Sequence, residues 1–151
     1  VRNLNFPSYK FRIKNSENNT HIFDVIRKKF VVLQPEEWVR QHCIQFLINE
    51  KNFPVSLINV EKVVQINGLN KRYDIVVYNS DGSIYLIVEC KAPRVKISQS
   101  AFDQIARYNL ALKASCLMVT NGLNHYFCTM DHNLGIYNFF KELPSYVKKK
   151  I

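Results

Sequence analysis

"YDIVVYNSDGSIYLIVECKAP", residues 73–93, decides the fold of this chain. Two apolar runs, 73–78 and 84–90, read as strands, and Asp81-Gly82 between them is a hairpin-turn signal. With a two-residue turn, Ser80 meets Ser83, Tyr78 meets Tyr85, Val76 meets Ile87, and Asp74 stands directly against Glu89. Directly opposed Cβ atoms lie roughly 4.5–5.5 Å apart, where like charges destabilise a sheet. Two carboxylates sharing a face therefore require a cation. Lys91, two residues beyond Glu89 and on the same side of its strand, is one candidate. A divalent metal is the other, because Mg²⁺ is held by one or two protein carboxylates together with water and phosphate oxygens. An Asp74–Lys91–Glu89 ion-pair network joined by Arg72 is the purely structural alternative.

On the N-terminal side, Pro35 suits a first helical position, and Glu36 and Glu37 suit the positive end of the helix dipole. A helix to about Glu50 follows, with Val39, Cys43, Phe46 and Leu47 as its buried stripe. Glu36 falls on that inward side by spacing, and Glu37 is rotated by about 100°. The run from about Val60 to Ile66 reads as a strand. Asn67-Gly68 then makes a tight turn that sets Glu61 against Asp74, and the next strand begins near Lys71. Pro93 ends the strand Ile84 to Lys91, and Ser100 caps a helix to about Lys113. Strands at Cys116 to Thr120 and about Tyr126 to Met130 complete the pattern. The order is helix, three antiparallel strands, helix, strand, strand, a mixed α/β (α+β) architecture. Residues 1–33 carry two short mixed stretches, Tyr9 to Ile13 and Phe30 to Leu33. They form a hairpin or an irregular wrapping packed on the core, and residues 34–151 form the main body of a single domain.

At 151 residues, 47% hydrophobic and 22% charged, the composition excludes a disordered chain. No run approaches the ~18–20 apolar residues of a membrane span, and no leader is recognisable, so the expectation is a soluble, cytoplasmic protein. Cys43, Cys90, Cys116 and Cys128 are isolated within apolar stretches, as buried free thiols are. His42, His125 and His132 lack the spacing of a zinc site or a catalytic triad and read as structural or surface residues. Lys148-Lys149-Lys150 reads as a solvated tail. The net charge of +9 favours a polyanionic partner.

Asp74, the triplet Glu89-Cys90-Lys91 and a carboxylate in "PEEWVRQH" resemble the PD-(D/E)xK nuclease superfamily, with its α-β-β-β-α-β core. Taken together, "PEEWVRQH", "KRYDIVVYNSDGSIYLIVECKAP", "FDQIARYN" and "MVTNG" resemble the nuclease domain at the N-terminus of type I restriction enzyme R subunits, over roughly residues 33 to 130. The resemblance implies a restriction-endonuclease-like core and a metal-dependent DNA endonuclease. Asp74 and Glu89 would bind Mg²⁺ or Mn²⁺, Lys91 would be the catalytic lysine, and Glu36, or else Glu37, the helix acid. It also brings in Gln104 and Tyr108 as a Q-x-x-x-Y element reaching toward the metal or a phosphate. Tyr73 replaces the proline that names the motif. The chain holds no G-x-x-x-x-G-K-[ST] phosphate loop, so any motor or specificity function of a restriction system would come from partner subunits.

Arg94 and Lys96, in the loop after Lys91, are the foremost candidates for phosphate contacts, followed by Arg72 and Arg107, with Arg40 also near the site in sequence. Glu61 reads as a partner of Arg72 or Lys71, or as a third acid on the active face; Asn121 serves its turn. The alternative function is a catalytically silent or partner-dependent DNA-binding module of the same fold, with RNA processing a weaker variant.

Overall fold

The computed structural model describes residues 2–66, 68–110 and 112–148. Asn67, half of the first expected turn, and Lys149 and Lys150 of the basic tail lie outside these residues. The N-terminal region forms a small antiparallel sheet of three strands, β1 (Ile13–Asn15), β2 (Thr20–Asp24) and β3 (Lys29–Val32). The expected pair of stretches thus resolves into a three-stranded meander. Its middle strand, Thr-His-Ile-Phe-Asp, is too polar to announce itself, although Ile22 and Asp24 are fully buried.

Helix α1 (Pro35–Asn49) begins at the expected proline. Gln34 supplies no side-chain cap, and the first helical position has no N–H that needs one. The Glu50 N–H closes the helix on the Phe46 carbonyl. A single 3₁₀ turn, Val55–Leu57, leads into β4 (Ile58–Ile66), β5 (Leu69–Tyr78) and β6 (Ile84–Cys90). Helix α2 (Gln99–Leu110), β7 (Cys116–Thr120), β8 (His125–Asp131) and β9 (Ile136–Phe140) follow. The six later strands form one mixed sheet in sequence order, antiparallel except for the parallel pair β6–β7. A parallel pair requires a crossover connection, and α2 supplies it.

Apolar side chains fill both faces of this sheet. Under α1, Val39, Cys43 and Leu47 pack on Ile75, Val77, Leu86, Val88 and Met118. Under α2, Phe102 and Ala106 pack on Val76, Ile87, Leu117 and Val119. Strand β7 is buried throughout, as its unbroken apolar run requires of a central strand covered on both sides.

Several expectations need correction. The β5–β6 connection is no two-residue turn: Asn79 N–H bonds the Ser83 carbonyl, Gly82 N–H bonds the Asn79 carbonyl, and Tyr78 pairs with Ile84. A bulge then leaves Tyr85 as an extra residue, and the ladder resumes as Val77–Leu86, Val76–Ile87 and Ile75–Val88. The shift of one residue at the loop and the shift of one at the bulge cancel, so the register toward Asp74 is the expected one. Helix α2 is capped by Ser98, not Ser100: the Ser98 hydroxyl accepts the Ala101 N–H and the Ser98 carbonyl accepts the Phe102 N–H. The helix also stops at Leu110, short of Lys113. Strand β9 was not foreseen, because an edge strand with Phe139 half exposed carries little of the alternation that marks a buried face.

The residues before β1 run across α1 and the end of β7. Leu4 and Phe6 join the cluster under α1, the Asn5 N–H donates to the Gly122 carbonyl at 2.7 Å, and the Trp38 indole donates to the Arg2 carbonyl at 2.7 Å. No helix among the described residues is long and apolar enough to cross a membrane.

Candidate active site

Asp74 lies in β5 just beyond the last paired residues, Ile75 and Val88, and there its side chain continues the ladder in place of the backbone. Asp74 Oδ2 accepts the Cys90 N–H at 2.7 Å. Asp74 Oδ1 accepts Arg40 Nη2 at 2.8 Å. The alternation of β5 breaks at this point, since Tyr73 packs beneath α2 with Val76, whereas Ile75 and Val77 pack beneath α1. Glu89 is engaged from the α2 side. Lys71 Nζ lies 3.3 Å from Glu89 Oε1 and also stands over the rings of Tyr73 and Tyr108, at 4.7 and 4.0 Å.

The two carboxylates therefore do not share one cation on one face. Each has its own, Arg40 for Asp74 and Lys71 for Glu89, and this replaces both the expected Lys91 bridge and the Asp74–Lys91–Glu89 network. Among the described residues the Lys91 ammonium makes no hydrogen bond or ion pair; its backbone N–H is held by the Thr120 carbonyl at 2.8 Å. It is nevertheless close enough to act electrostatically on both Glu36 and Glu89. Burial raises the Glu89 carboxyl above the usual glutamate range; Lys71 and Lys91 oppose the shift, and the charge of Asp74 adds to it.

Arg40 is the hub of the site. Its guanidinium is buried, with Nη1 2.9 Å from Glu37 Oε1 and Nη2 2.8 Å from both Asp74 Oδ1 and Glu61 Oε1, while Glu36 Oε1 lies at 3.8 Å. Glu61 reaches Arg40 from β4 with a left-handed backbone, φ 56°, within a strand. Its contact with Arg72 is longer, at 3.4 Å. Glu61 is thus the expected partner of Arg72, and it also shares the Arg40 guanidinium with Asp74. Arg40 was foreseen only as a phosphate contact near the site. Its helical spacing of four from Glu36 and three from Glu37 is the sequence signal that could have exposed it.

The helix acids exchange places relative to the spacing argument. Glu37 is the buried one, tied to Arg27, Arg40 and Gln41, whereas the Glu36 side chain is half exposed at the mouth of the site. The first turn of α1 faces the small N-terminal sheet rather than the main core, and the buried Asp24–Arg27 pair draws Glu37 toward it. Burial and Asp74 raise the Glu36 carboxyl, with Arg40 and Lys91 opposing. Asp74 and Lys91 both act electrostatically on Glu36, from opposite directions.

On α2, Gln104 is exposed and Tyr108 is 47% exposed, and Tyr108 meets the site through Lys71. Arg72, Arg94, Lys96 and Arg107 are all exposed. Asn121 holds its own turn, accepting the Leu123 and Asn124 N–H groups, and its amide also donates to the Val95 carbonyl at 2.9 Å. That bond ties down the loop carrying Arg94 and Lys96. His42, His125 and His132 bond backbone carbonyls of Trp38, Asn5 and Ala114, and the four cysteines are free and buried.

Among the described residues no cluster of three or more His, Cys, Asp or Glu side chains is set to hold a metal. Asp74 and Glu89 nonetheless fit a hard divalent ion in donor chemistry. Both are carboxylates on one sheet end, and Glu89 Oε2 has no protein partner among the described residues.

A family model described as "Type I restriction enzyme R protein N terminus" matches residues 35–144. Among solved structures, the chain is similar to a fragment assigned to an HsdR subunit of a type I restriction enzyme from Vibrio vulnificus YJ016, with 20% identity and a TM-score of 0.46. The match covers 68% of this chain and 22% of that one. The curated proteins contain no match.

Proposed function

We propose that this chain, which belongs to the family of type I restriction enzyme R protein N-termini, is a metal-dependent DNA nuclease domain. The observation that carries this reading is the convergence of Asp74, Glu89, Glu36 and an unpaired Lys91 at one end of the sheet. Asp74 and Glu89 would hold Mg²⁺ or Mn²⁺, which supplies a Lewis acid for the phosphate oxygen and lowers the pKa of a bound water. The Cys90 N–H and Arg40 fix the Asp74 carboxylate in orientation. Lys91 holds the attacking water or the charge that grows on the phosphate oxygen. Attack would form a bond from water oxygen to phosphorus as the water gives up a proton to solvent, and break the bond to the leaving sugar oxygen, which takes up a proton. Glu36, raised by its surroundings and open to solvent, is placed to exchange that proton. Gln104 and Tyr108 support the site from α2, Tyr108 by fixing Lys71 against Glu89. Arg94 and Lys96, with Arg72 and Arg107, contact the DNA backbone. Motor and specificity subunits of a restriction system are the partners this assignment suggests.

The test is plasmid cleavage with and without Mg²⁺, for the wild type and for Asp74→Ala and Lys91→Ala. Cleavage should require the metal and vanish in both variants, with unchanged circular dichroism. Equal cleavage by all three proteins would overturn the assignment.

One observation favours a second reading. Arg40 already neutralises Asp74 at 2.8 Å, as it would in a DNA-binding module whose chemistry is silent or awaits a partner. Salt-sensitive DNA affinity without nicking under Mg²⁺ or Mn²⁺ would select it.

A further inference from the structure

A cavity of about 430 Å³ lies beside the acid cluster, and none of the cluster's carboxylates lines it. That volume falls in the ~300–1,000 Å³ range of small-molecule pockets. Pro35 and Trp38 of α1 form one wall, Pro93 and Arg94 of the loop after β6 form another, and Arg2 contributes from the N-terminal segment. These are the segments that carry the proposed chemistry: Glu36 lies between Pro35 and Trp38, and Lys91 precedes Pro93 by two positions. Cavity and site draw on the same two chain segments.

The lining has a specific chemical character. It includes two arginines and no acid, and neither guanidinium has an ion pair or hydrogen bond among the described residues. Trp38, the one tryptophan of the chain, is fixed by its neighbours, with its ring 5.2 Å from Phe11 and 4.3 Å from His42 between centroids. Its indole N–H is already engaged by the Arg2 carbonyl. What it offers a ligand is aromatic surface without a free donor, which favours stacking over base-specific hydrogen bonding. A rigid aromatic surface beside unpaired guanidinium groups is the chemistry that takes a nucleobase and its phosphate.

We propose that this cavity seats an unpaired nucleotide of the DNA strand next to the scissile phosphate, its base stacked on Trp38 and its phosphate gripped by Arg94 and Arg2. The proposal rests on the nuclease reading of the adjacent site and adds a substrate class to it: single-stranded ends, gaps or flipped bases, without sequence preference. A base inside an intact duplex has no free face to present.

Because Trp38 is the sole tryptophan, its emission reports occupancy directly. The whole chain is titrated in EDTA, so that no cleavage occurs, with a single-stranded oligodeoxynucleotide and with a relaxed, covalently closed circular duplex. The single strand should quench Trp38 saturably and the duplex should not. Arg94→Ala should weaken the single-strand titration about tenfold, while Lys141→Ala, an exposed lysine beyond the far edge strand, should leave it unchanged. DNA binding in a gel shift without a change in emission would overturn the proposal, and is the result expected if an apolar protein segment filled the cavity instead. Equal quenching by the closed duplex, or equal losses in the two variants, would also overturn it. Since no cleavage is read, failure here leaves the catalytic assignment standing, and failure of Asp74→Ala to abolish cleavage leaves this binding result intact.

Discussion

Arg40 carries the largest electrostatic load of any single residue at the site. One guanidinium, 7% exposed, pairs with Glu37, Glu61 and Asp74 and approaches Glu36. Removing one partner of a buried ion pair strands the others, at a cost of about 3–5 kcal/mol. Arg40→Met should lower the unfolding free energy in urea by that amount, and a loss below about 1 kcal/mol would show that solvent already screens the cluster. Arg72→Ala, which breaks only an exposed contact of 3.4 Å, should cost less than about 1 kcal/mol. At this scale the sequence is readable where register governs and unreadable where side-chain reach governs. Asp74 and Glu89 could be brought together by counting along two strands. That Lys71, and not Lys91, reaches Glu89 depends on a diagonal path past two aromatic rings, which no linear spacing encodes.

At the scale of the element, Gly122 shows how the N-terminal segment is locked on. Its φ is +86°, and a Cβ there would come within 2.8 Å of Leu4 Cδ2 and 3.1 Å of Val39 Cγ2. Gly122→Ala adds backbone strain to this steric crowding, and a loss of about 1–3 kcal/mol in thermal or urea unfolding is expected. Leu4→Ala in the same chain should restore part of it, and a purely additive double mutant would exclude the clash as the cause. Elements with clear composition or boundary signals were foreseen almost to the residue, β7 by its unbroken apolar run and α1 by its opening Pro35-Glu36-Glu37. The exceptions have physical causes. The Asp81-Gly82 dipeptide is a true turn signal, yet Asn79 and Ser83 extend the loop, and the Tyr85 bulge then hides the error from the rest of the hairpin. The first turn of α1 defied helical-wheel reasoning because a second layer, the β1–β3 sheet, buries the flank that one-sided packing would leave in water.

For the whole molecule, opposing titrations govern pH dependence. Asp24 is fully buried, and burial alone would raise its carboxyl; hydrogen bonds from the Arg27 backbone and guanidinium and from Gln41 outweigh this and lower it. A lowered carboxyl stabilises the fold above the ordinary aspartate range, and the contribution is lost as pH falls through the lowered value. The stability difference between wild type and Asp24→Asn should therefore shrink from about pH 6 to about pH 3 in urea unfolding; a gap constant with pH would refute the assignment. Glu89 acts in the opposite sense, since a raised carboxyl favours the protonated fold and its contribution fades as pH rises. The single parallel pairing has a further consequence. Because β6 and β7 run the same way, the loops after both emerge at one pole of the sheet, where the Asn121–Val95 bond joins them. The 79–83 hairpin is left at the other pole, and the space around a Cβ at Gly82 is open. A fluorophore or short affinity tag grafted there would ride on the sheet at the pole opposite the candidate site, giving an attachment point from which a larger assembly could be mapped without disturbing the carboxylates.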